Sequence, residues 1–265
     1  MTSVGKLWQY PVKSMQGLEV DEISLGLSGV LGDRAYAFVD VETGEIASAK
    51  QTKHFGPLLE CRASFLEAPN GDGAPSVEVT FPDGTTVRTA EDGGDELAKR
   101  ASEFLHRQVR FVKAERHALG FVDLAHVHLL AASTLSQLAD EHPEGGWDPR
   151  RMRPNVLVDD RGLAAAEDDW LSCDVRLGEQ AVVHLAILTP RCVMTTLPQP
   201  GLPKDAAILK AIARLGLKDL PFFGQSACAG WYADVVSPGV VRRGDPIDVE
   251  RVTPRKGAIA ATINL

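Results

Sequence analysis

The chain has 265 residues, of which 44% are hydrophobic, enough for one large domain or two modest ones with sizeable cores. Its 28 Lys and Arg against 36 Asp and Glu give a formal net charge of -8, and no basic run could follow a phosphate backbone, so no nucleic-acid partner is expected. No stretch approaches the ~20 apolar residues of a membrane span, and the N-terminal residues do not have the pattern of a signal peptide. We therefore expect a cytoplasmic protein without a membrane partner.

The first half of the chain predicts β-structure, because short runs of β-branched and aromatic residues are separated by turn residues. The segment AYAFVDVETGEIASAK is expected to fold back at Thr43-Gly44, and SVEVTFPDGTTVRTA at Asp83-Gly84. GDELAKRASEFLHR then spaces its apolar residues as a helix does, and VRFV follows as a strand. These elements are expected to form an N-terminal unit.

A stretch with little periodicity, AERHALGFVDLAH, is the expected connection between the two halves. It divides the chain near residue 118 into two predicted domains, 1–118 and 119–265. After it, HLLAASTLSQLADEH predicts the end of a strand and then a helix with Ser133 or Thr134 as its N-cap.

The rest of the second half predicts more strands and one further helix. Strands are expected in PNVLVDD and QAVVHLAIL, and PKDAAILKAIARLG predicts an amphipathic helix that ends at Gly216. WYADVVSPGVVRRGDPIDVE predicts a closing hairpin turned at Pro238-Gly239. Because strands outnumber helices and do not alternate regularly with them, the pattern favours a mainly β fold with some helices (α+β), built from β-barrel or mixed β units.

The four cysteines, Cys61, Cys173, Cys192 and Cys228, are far apart and include no CxxC pair. Neither a zinc ribbon nor a disulfide framework is therefore expected. Cys61 and Cys173 are predicted to be small buried residues. Cys228 lies in the glycine-flanked segment FGQSACAGWY, where it either approaches a site or is simply a buried or exposed thiol.

Cys192 stands out because of its neighbours in LTPRCVMTT. The adjacent Arg191 favours the thiolate, which is the form that attacks electrophiles or binds a soft metal. A nucleophile pair with His184, eight residues upstream, has no second signature to support it. Because one cysteine cannot hold a metal ion alone, the other ligands of a metal at Cys192 would come from a cofactor.

Two stretches near the N-terminus suit an anionic ligand. Lys13 and Ser14 in YPVKSMQG offer an ammonium, a hydroxyl and backbone N–H groups in one turn, although a solvated turn is the simpler interpretation. Arg34 in GVLGDRAY is either half of a local ion pair with Asp33 or a bidentate clamp for a phosphate.

Two stretches in the second half add further polar groups. In RRMRPNVLVDD, Arg153 and Asn155 flank a rigid proline and are expected on the same side of an extended chain, where they could act together. The hydroxyl pair Ser133 and Thr134 is a further candidate. In an acidic chain, such local groups suit a small anion better than a polyanion.

Six motifs in fixed order resemble one known family. YPVKSMQG, GDRAY, HLLAAST, RPNVLV, RCVMTT and PGVVRRGDPI occur as in the MOSC family, preceded by its N-terminal β-barrel-like domain. The chain resembles the amidoxime-reducing branch of that family over nearly its whole length. The resemblance implies an N-terminal β-barrel-like domain in 1–118 and a MOSC β-barrel domain in 119–265.

The resemblance also implies a cofactor and residues that hold it. It predicts the molybdenum cofactor (molybdopterin), a pyranopterin dithiolene with a terminal phosphate, with Cys192 as the molybdenum ligand and catalytic residue. The residues that match cofactor contacts, the last two more loosely, are Lys13, Ser14, Arg34, Arg153, Asn155, Arg191, Ser133 and Thr134. After the cysteine the chain continues TTLPQPG, a departure from the family pattern on the substrate side.

The resemblance therefore predicts a molybdenum-dependent oxidoreductase that reduces small N-oxygenated compounds, such as N-hydroxylated bases or amidoximes. The chain lacks the C-terminal cysteine cluster of relatives with a fused ferredoxin domain, so a separate electron-donor protein, a ferredoxin- or flavin-type reductase, is expected.

Two alternatives remain open. MOSC domains also form the C-terminal part of molybdenum cofactor sulfurases, so Cys192 could serve a sulfur or cofactor carrier. A chain of 265 residues cannot also contain the desulfurase domain, so it would be an accessory protein. The other alternative is a non-catalytic module that binds a small anion and has a structural cysteine.

Overall fold

The computed structural model describes residues 2–70, 73–90, 92–114, 120–125, 127–160, 166–253, 257 and 259. Strands dominate this part of the chain. The strands are β1 Ser3–Gln9, β2 Leu18–Val20, β3 Glu22–Gly26, β4 Gly29–Val30, β5 Tyr36–Asp40, β6 Arg62–Phe65, β7 Val77–Thr80, β8 Thr86–Arg88, β9 Val109–Lys113, β10 Val127–Ala131, β11 Val156–Asp159, β12 Cys173–Leu177, β13 Ala181–Pro190, β14 Leu217–Leu220, β15 Gly224–Ser237, β16 Gly239–Arg242 and β17 Ile247–Arg251.

The helices are short and lie between the strands. They are α1 Thr52–Phe55, α2 Asp95–Leu105, α3 Ala132–Glu141, α4 Pro149–Met152, α5 Ala166–Trp170 and α6 Ala207–Gly216, with 3-10 turns at Gly56–Glu60, Pro143–Gly145 and Val193–Thr196. Within the described ranges, none of these helices combines the length and the apolar character needed to cross a bilayer.

One large sheet forms the centre of the molecule. Its strands follow the order β17-β12-β13-β15-β10-β11-β1-β2, and β14 pairs with β15. The sheet closes on itself because the first residues of β1 also bond to the segment before β17. The Val4 N–H donates to the Asp245 carbonyl at 2.9 Å, and the Gly244 N–H donates to the Val4 carbonyl at 2.8 Å. This closure makes a barrel and removes two exposed strand edges.

A bulge in β1 allows that closure. The register of β1 against β11 shifts between Val4 and Lys6, with Gly5 as the extra residue. A side chain at Gly5 would come within 3.2 Å of the Leu157 carbonyl oxygen, so only glycine fits there without displacing β11. Such a bulge increases the local strand twist, as a closed barrel requires.

The first half contributes to two cores. Val4, Leu7 and Ile23 pack inside the barrel with the strands of the second half. The following strands and helices, β5 to β9 with α1 and α2, surround a separate apolar cluster that includes Phe38 and Leu97.

The architecture is mainly β with some helices, as the sequence predicts. The predicted boundary at residue 118 lies outside the described residues, and the division into 1–118 and 119–265 stays a prediction.

Most predicted elements are confirmed. The hairpin turned at Asp83-Gly84 is β7 and β8, and α2, β9, β11 and β13 cover the segments assigned to them. Helix α6 ends at Gly216 as expected. At Thr43-Gly44 the chain does fold back, as predicted. The returning arm meets one edge of β5 through the bridge between Ile46 and Val39, and the Ala47 N–H donates to the Phe38 carbonyl at 2.8 Å, while β9 pairs with the other edge.

The predicted closing hairpin at Pro238-Gly239 is wrong. Strand β16 leaves β15 at this point and pairs with β3, with Gly239 opposite Leu25. Pro238 has no N–H to donate to a ladder with β15, whereas β3 offers an edge whose backbone groups need partners. A local turn pattern does not reveal this distant edge.

The predicted N-cap at Ser133 or Thr134 is also wrong. Helix α3 begins at Ala132, directly after β10, with Ala131 in the N-cap position. The carboxylate of Asp160, at the end of β11, accepts the Ser133 backbone N–H at 3.1 Å and a hydrogen bond from the Ser133 hydroxyl. The Asp160 side chain, from outside the helix, thus bonds a free backbone N–H of the first helical turn.

Trp231 is the largest fully buried side chain of the barrel, and its removal tests the core. Its ring stacks on Trp170 with centroids 5.5 Å apart, and its indole N–H donates to the Glu167 carbonyl at 2.8 Å. We expect Trp231→Ala to lower the free energy of unfolding by about 3–5 kcal/mol in urea titrations. Leu27→Ala, at a side chain that is 72% exposed, is the control and should change it by less than about 0.5 kcal/mol. Equal losses would contradict this account of the core.

Candidate functional site

A cleft of about 200 Å³ lies where the end of β13 faces the turns of the first forty residues and the segment around Asp123. Its walls are strongly cationic. Among the described residues that line it, Asp123 is the single carboxylate, whereas six side chains are Arg or Lys: Lys13, Arg34, Lys50, Arg151, Arg153 and Arg191. In a chain of net charge -8, this concentration of positive charge indicates an anionic ligand.

Cys192 lies on the wall of this cleft, two residues beyond the end of β13. The Arg191 N–H donates to the Ala227 carbonyl at 2.7 Å, which extends the pairing with β15 up to the cysteine. The chain then turns into the 3-10 segment Val193–Thr196, and the Thr195 N–H and hydroxyl both donate to the Cys192 carbonyl, at 3.2 and 3.0 Å. The thiol is partly exposed while its backbone is fixed.

Arg151 holds the segment that follows Cys192. Its guanidinium is buried and bonds backbone carbonyls instead of a carboxylate: Thr195 at 3.2 Å, Leu197 at 3.3 Å and Pro203 at 2.8 Å. One rigid group therefore ties three points of the loop to α4.

Two further arginines lie over one aromatic ring. The guanidinium carbons of Arg34 and Arg153 are 4.3 and 4.5 Å from the ring centroid of Tyr10. Arg34 also bonds Asp33, and the Arg153 Nη1 donates to the Met15 carbonyl at 2.7 Å. Burial, and then the charge of Arg34, lowers the pKa of Arg153 to about 10. The pair thus carries more positive charge than its protein partners neutralise.

The backbone at both arginines is left-handed. Arg34 has φ +47° and Arg153 has φ +56°, a region that non-glycine residues rarely occupy. Arg153 is the C-cap residue directly after α4, and its N–H donates to the Pro149 carbonyl at 2.9 Å. Each guanidinium reaches the cleft from a tight turn, and unfavourable backbone geometry of this kind is typical of functional sites.

His128 and Arg191 form a hydrogen-bonded pair in the cleft. The Arg191 Nη1 donates to His128 Nε2 at 3.3 Å, and His128 Nδ1 lies 3.2 Å from the Arg153 carbonyl, so the neutral tautomer with its proton on Nδ1 satisfies both. Burial, and then the charge of Arg191, holds the pKa of His128 well below its ordinary value of 6.5. The Nε of Arg191 is buried and has no hydrogen-bond partner among the described residues.

Lys13 and Lys50 share Asp123 at the mouth of the cleft. Their Nζ atoms are 2.7 and 2.9 Å from its two carboxylate oxygens. Burial alone would raise the pKa of Asp123, but these two charges hold it well below its ordinary value. Ser14 lies beside Lys13, and its hydroxyl accepts the Ala49 N–H at 2.9 Å.

The structure brings together most of the residues that the sequence proposes for the site. Seven line the cleft: Lys13, Ser14, Arg34, Arg153, Asn155, Arg191 and Cys192. Asn155 lies at its base, where its amide donates to Asp33 at 3.1 Å and accepts the His128 N–H at 3.1 Å. Its side chain thus supports neighbouring cleft residues.

The structure places other candidates elsewhere. The Ser133 hydroxyl bonds Asp160, and Thr134 donates to Glu167 at 2.5 Å on the wall of a second, smaller pocket. Cys228 lines that second pocket too, and burial raises its pKa to about 11. Cys61, Cys173 and His184 are buried, and His184 bonds Asp174 at 2.8 Å.

Sequence reasoning missed Lys50, Asp123, His128, Arg151 and Tyr232, which also line the cleft. His128 is a lone histidine in an apolar strand, and Lys50 follows a loop, so neither carries a local signal. Only the strand pairing that joins the two halves brings them to Cys192.

The donor set fits a cofactor that supplies its own metal ligands and an anionic group. Within the described ranges, no cluster of three or more His, Cys, Asp or Glu could hold a metal ion. A soft metal at Cys192 would take its remaining ligands from a cofactor, as the MOSC resemblance implies. The six cationic groups and the unpartnered Nε of Arg191 suit a phosphate.

Comparison with known proteins gives two family matches. The MOSC domain matches residues 116–248, and the MOSC N-terminal beta barrel domain matches residues 1–108. The chain is 26% identical over 293 residues to mitochondrial amidoxime-reducing component 1 of Mus musculus, covering 92% of this chain and 81% of the relative. It is 27% identical over 285 residues to mitochondrial amidoxime reducing component 2 of Homo sapiens, with 92% and 82% covered.

A solved structure also resembles the chain. The YUAD protein from Bacillus subtilis matches 96% of this chain and 98% of its own length, with 14% identity and a TM-score of 0.49.

We expect His128 to stay neutral in the folded protein at pH values where an exposed histidine is protonated. Its folded pKa is lowered, so its contribution to stability is complete above pH 6.5 and is lost as pH falls below that value, by up to about 1.4 kcal/mol per pH unit. His128→Gln keeps an acceptor for Arg191 and should weaken this acid sensitivity in urea titrations. Side-chain ¹⁵N NMR should show the Nδ1–H tautomer of His128 below pH 6.5, and a ring that titrates near pH 6.5 would contradict the assignment.

Proposed function

The chain belongs to the MOSC domain family, and from that premise we propose that it binds the molybdenum cofactor at Cys192 and reduces small N-oxygenated compounds. The observation that carries the proposal is the partly exposed Cys192 thiol in a cleft with six cationic side chains. The names of the relatives, amidoxime-reducing components, support the reaction class.

The chain's own residues hold and orient the cofactor in this proposal. The Cys192 thiolate is the protein ligand to molybdenum, and Arg151 keeps its loop fixed. Arg34 and Arg153, together with Lys13 and Lys50, neutralise the phosphate of the pterin. Arg191 adds a further positive charge to the cofactor cleft, and His128 holds it by accepting a hydrogen bond from its Nη1 at 3.3 Å.

When bound, the cofactor supplies a metal that accepts an oxygen atom and cycles by two electrons. The overall reaction breaks the N–O bond of the substrate, consumes two electrons and two protons, and leaves an N–H group and water. The electrons come from a separate donor protein of ferredoxin or flavin type. In a cationic, partly enclosed cleft the attraction between the protein and an anionic cofactor is stronger than it would be in bulk water. Because Cys192 is partly exposed, a substrate can approach it.

We expect Cys192→Ser to lose the reductase activity. The full chain is produced where molybdenum cofactor is made, bound molybdenum is measured by mass spectrometry, and reduction of hydroxylamine by a chemical reductant is followed. The rate should fall by at least about 100-fold, because the metal loses its protein ligand. Cys228→Ser is the matched control, since that thiol lies in the second pocket, and it should keep both metal and rate.

The outcomes separate the alternatives. A wild-type protein without bound molybdenum would overturn the proposal. Bound molybdenum without reduction of any hydroxylamine or amidoxime would favour the sulfur or cofactor carrier.

We expect Arg34→Ala to weaken cofactor retention. The substitution removes a charge-assisted contact to the phosphate, so the fraction of molybdenum kept through gel filtration should fall, with about tenfold weaker binding. Arg88→Ala removes an exposed arginine that bonds Glu78 at 2.6 Å on another sheet, and it should retain the wild-type fraction. If Arg34→Ala has the wild-type unfolding temperature and still keeps the wild-type fraction of molybdenum, Arg34 is not part of the cofactor site.

A further inference from the structure

A pair of phenylalanines occupies the tip of the β14–β15 hairpin. Phe222 is 76% exposed and Phe223 is 38% exposed, and their rings meet edge to face with centroids 5.4 Å apart. The hairpin fixes them, because Leu220 pairs with Gly224 and the Phe223 N–H donates to the Leu220 carbonyl at 3.2 Å.

Neither burial nor backbone preference explains this pair. Phe222 has φ +70°, a left-handed conformation that is unfavourable for a bulky residue. A side chain that is 76% exposed recovers little stability from the hydrophobic effect. An exposed aromatic side chain on an unfavourable backbone, beside a candidate site, indicates a role in binding.

Phe223 belongs to the wall of the cleft that contains Cys192. Met194 lines the same cleft, and Val193, which follows the cysteine, is 39% exposed. The cationic groups come from the first fifty residues, from α4 and the residue after it, and from the residue after β13, whereas Phe223 comes from a hairpin that contributes no charged residue to the lining. The cleft therefore has an apolar side beside the thiol.

On the basis of the proposed function, we propose that Phe223, supported by Phe222, is a substrate contact that selects N-oxygenated compounds with an aromatic substituent. Once the anionic cofactor occupies the cationic groups, the surface left for a substrate next to Cys192 is this apolar side. A flat ring can stack offset or edge-on against Phe223 while its N–OH group faces the thiol side of the cleft. A small substrate such as hydroxylamine has no ring to make that contact.

Two substrates that differ by one phenyl ring test this inference, namely N-benzylhydroxylamine and N-methylhydroxylamine. With the molybdenum-loaded full chain, Phe223→Ala should raise the KM for the benzyl compound about tenfold and leave its kcat within about twofold. The KM for the methyl compound should stay unchanged. Phe223→Tyr keeps the ring and should restore the wild-type KM. Leu217→Ala removes a side chain that is 52% exposed on β14 outside the cleft lining, and it should behave as wild type.

A direct binding measurement accompanies the kinetics. In saturation-transfer NMR without any reductant, the ring protons of N-benzylhydroxylamine should receive magnetisation from the wild type, Phe223→Tyr and Leu217→Ala, but much less from Phe223→Ala. Equal changes in KM for both substrates, or an undiminished NMR signal with Phe223→Ala, would overturn the inference and leave the proposed reductase intact. A loaded wild-type protein that reduces neither compound would overturn the proposed function and this inference with it.

Discussion

Arg34 and Arg153 place two positive charges side by side in the cleft. Their guanidinium groups lie over the one ring of Tyr10, and burial together with the charge of Arg34 lowers the pKa of Arg153 to about 10. Arg34 bonds Asp33, and the Asn155 amide donates to the same carboxylate. One carboxylate cannot balance both positive charges. Two like charges this close repel each other, and a bound anion would offset that repulsion, as the phosphate of the proposed cofactor would.

Closure of the barrel brings the cationic side chains close to Cys192. Strand β1 pairs with β11 and also bonds the segment before β17, so the turns that follow β1 are fixed against the end of β13. Arg151 then holds the loop after Cys192 by three carbonyls, and the hairpin of β14 and β15 brings Phe223 to the other side. The cationic groups, Cys192 and Phe223 thus come from different elements held by one sheet.

Local patterns predict the elements that depend on local forces. The β7–β8 hairpin follows from Asp83-Gly84, and α2 from the spacing of its apolar residues. Local patterns do not predict contacts between residues that are distant in sequence. Strand β16 pairs with β3, and the carboxylate of Asp160, after β11, accepts the N–H of Ser133 in the first turn of α3. In the cleft, motif order predicts Cys192 and its arginines, whereas His128 and Lys50 reach it only through the barrel. Ser133 and Thr134 share the motif order but lie away from the cleft, so order alone does not place a side chain.

In the proposed function, Cys192 supplies the protein ligand of a molybdenum ion held by its cofactor. X-ray absorption at the molybdenum edge of the loaded full chain measures this directly, because it counts the sulfur neighbours of the metal. We expect one sulfur neighbour more in the wild type than in Cys192→Ser, and the same number in Cys228→Ser as in the wild type. The same sulfur count in wild type and Cys192→Ser would contradict it.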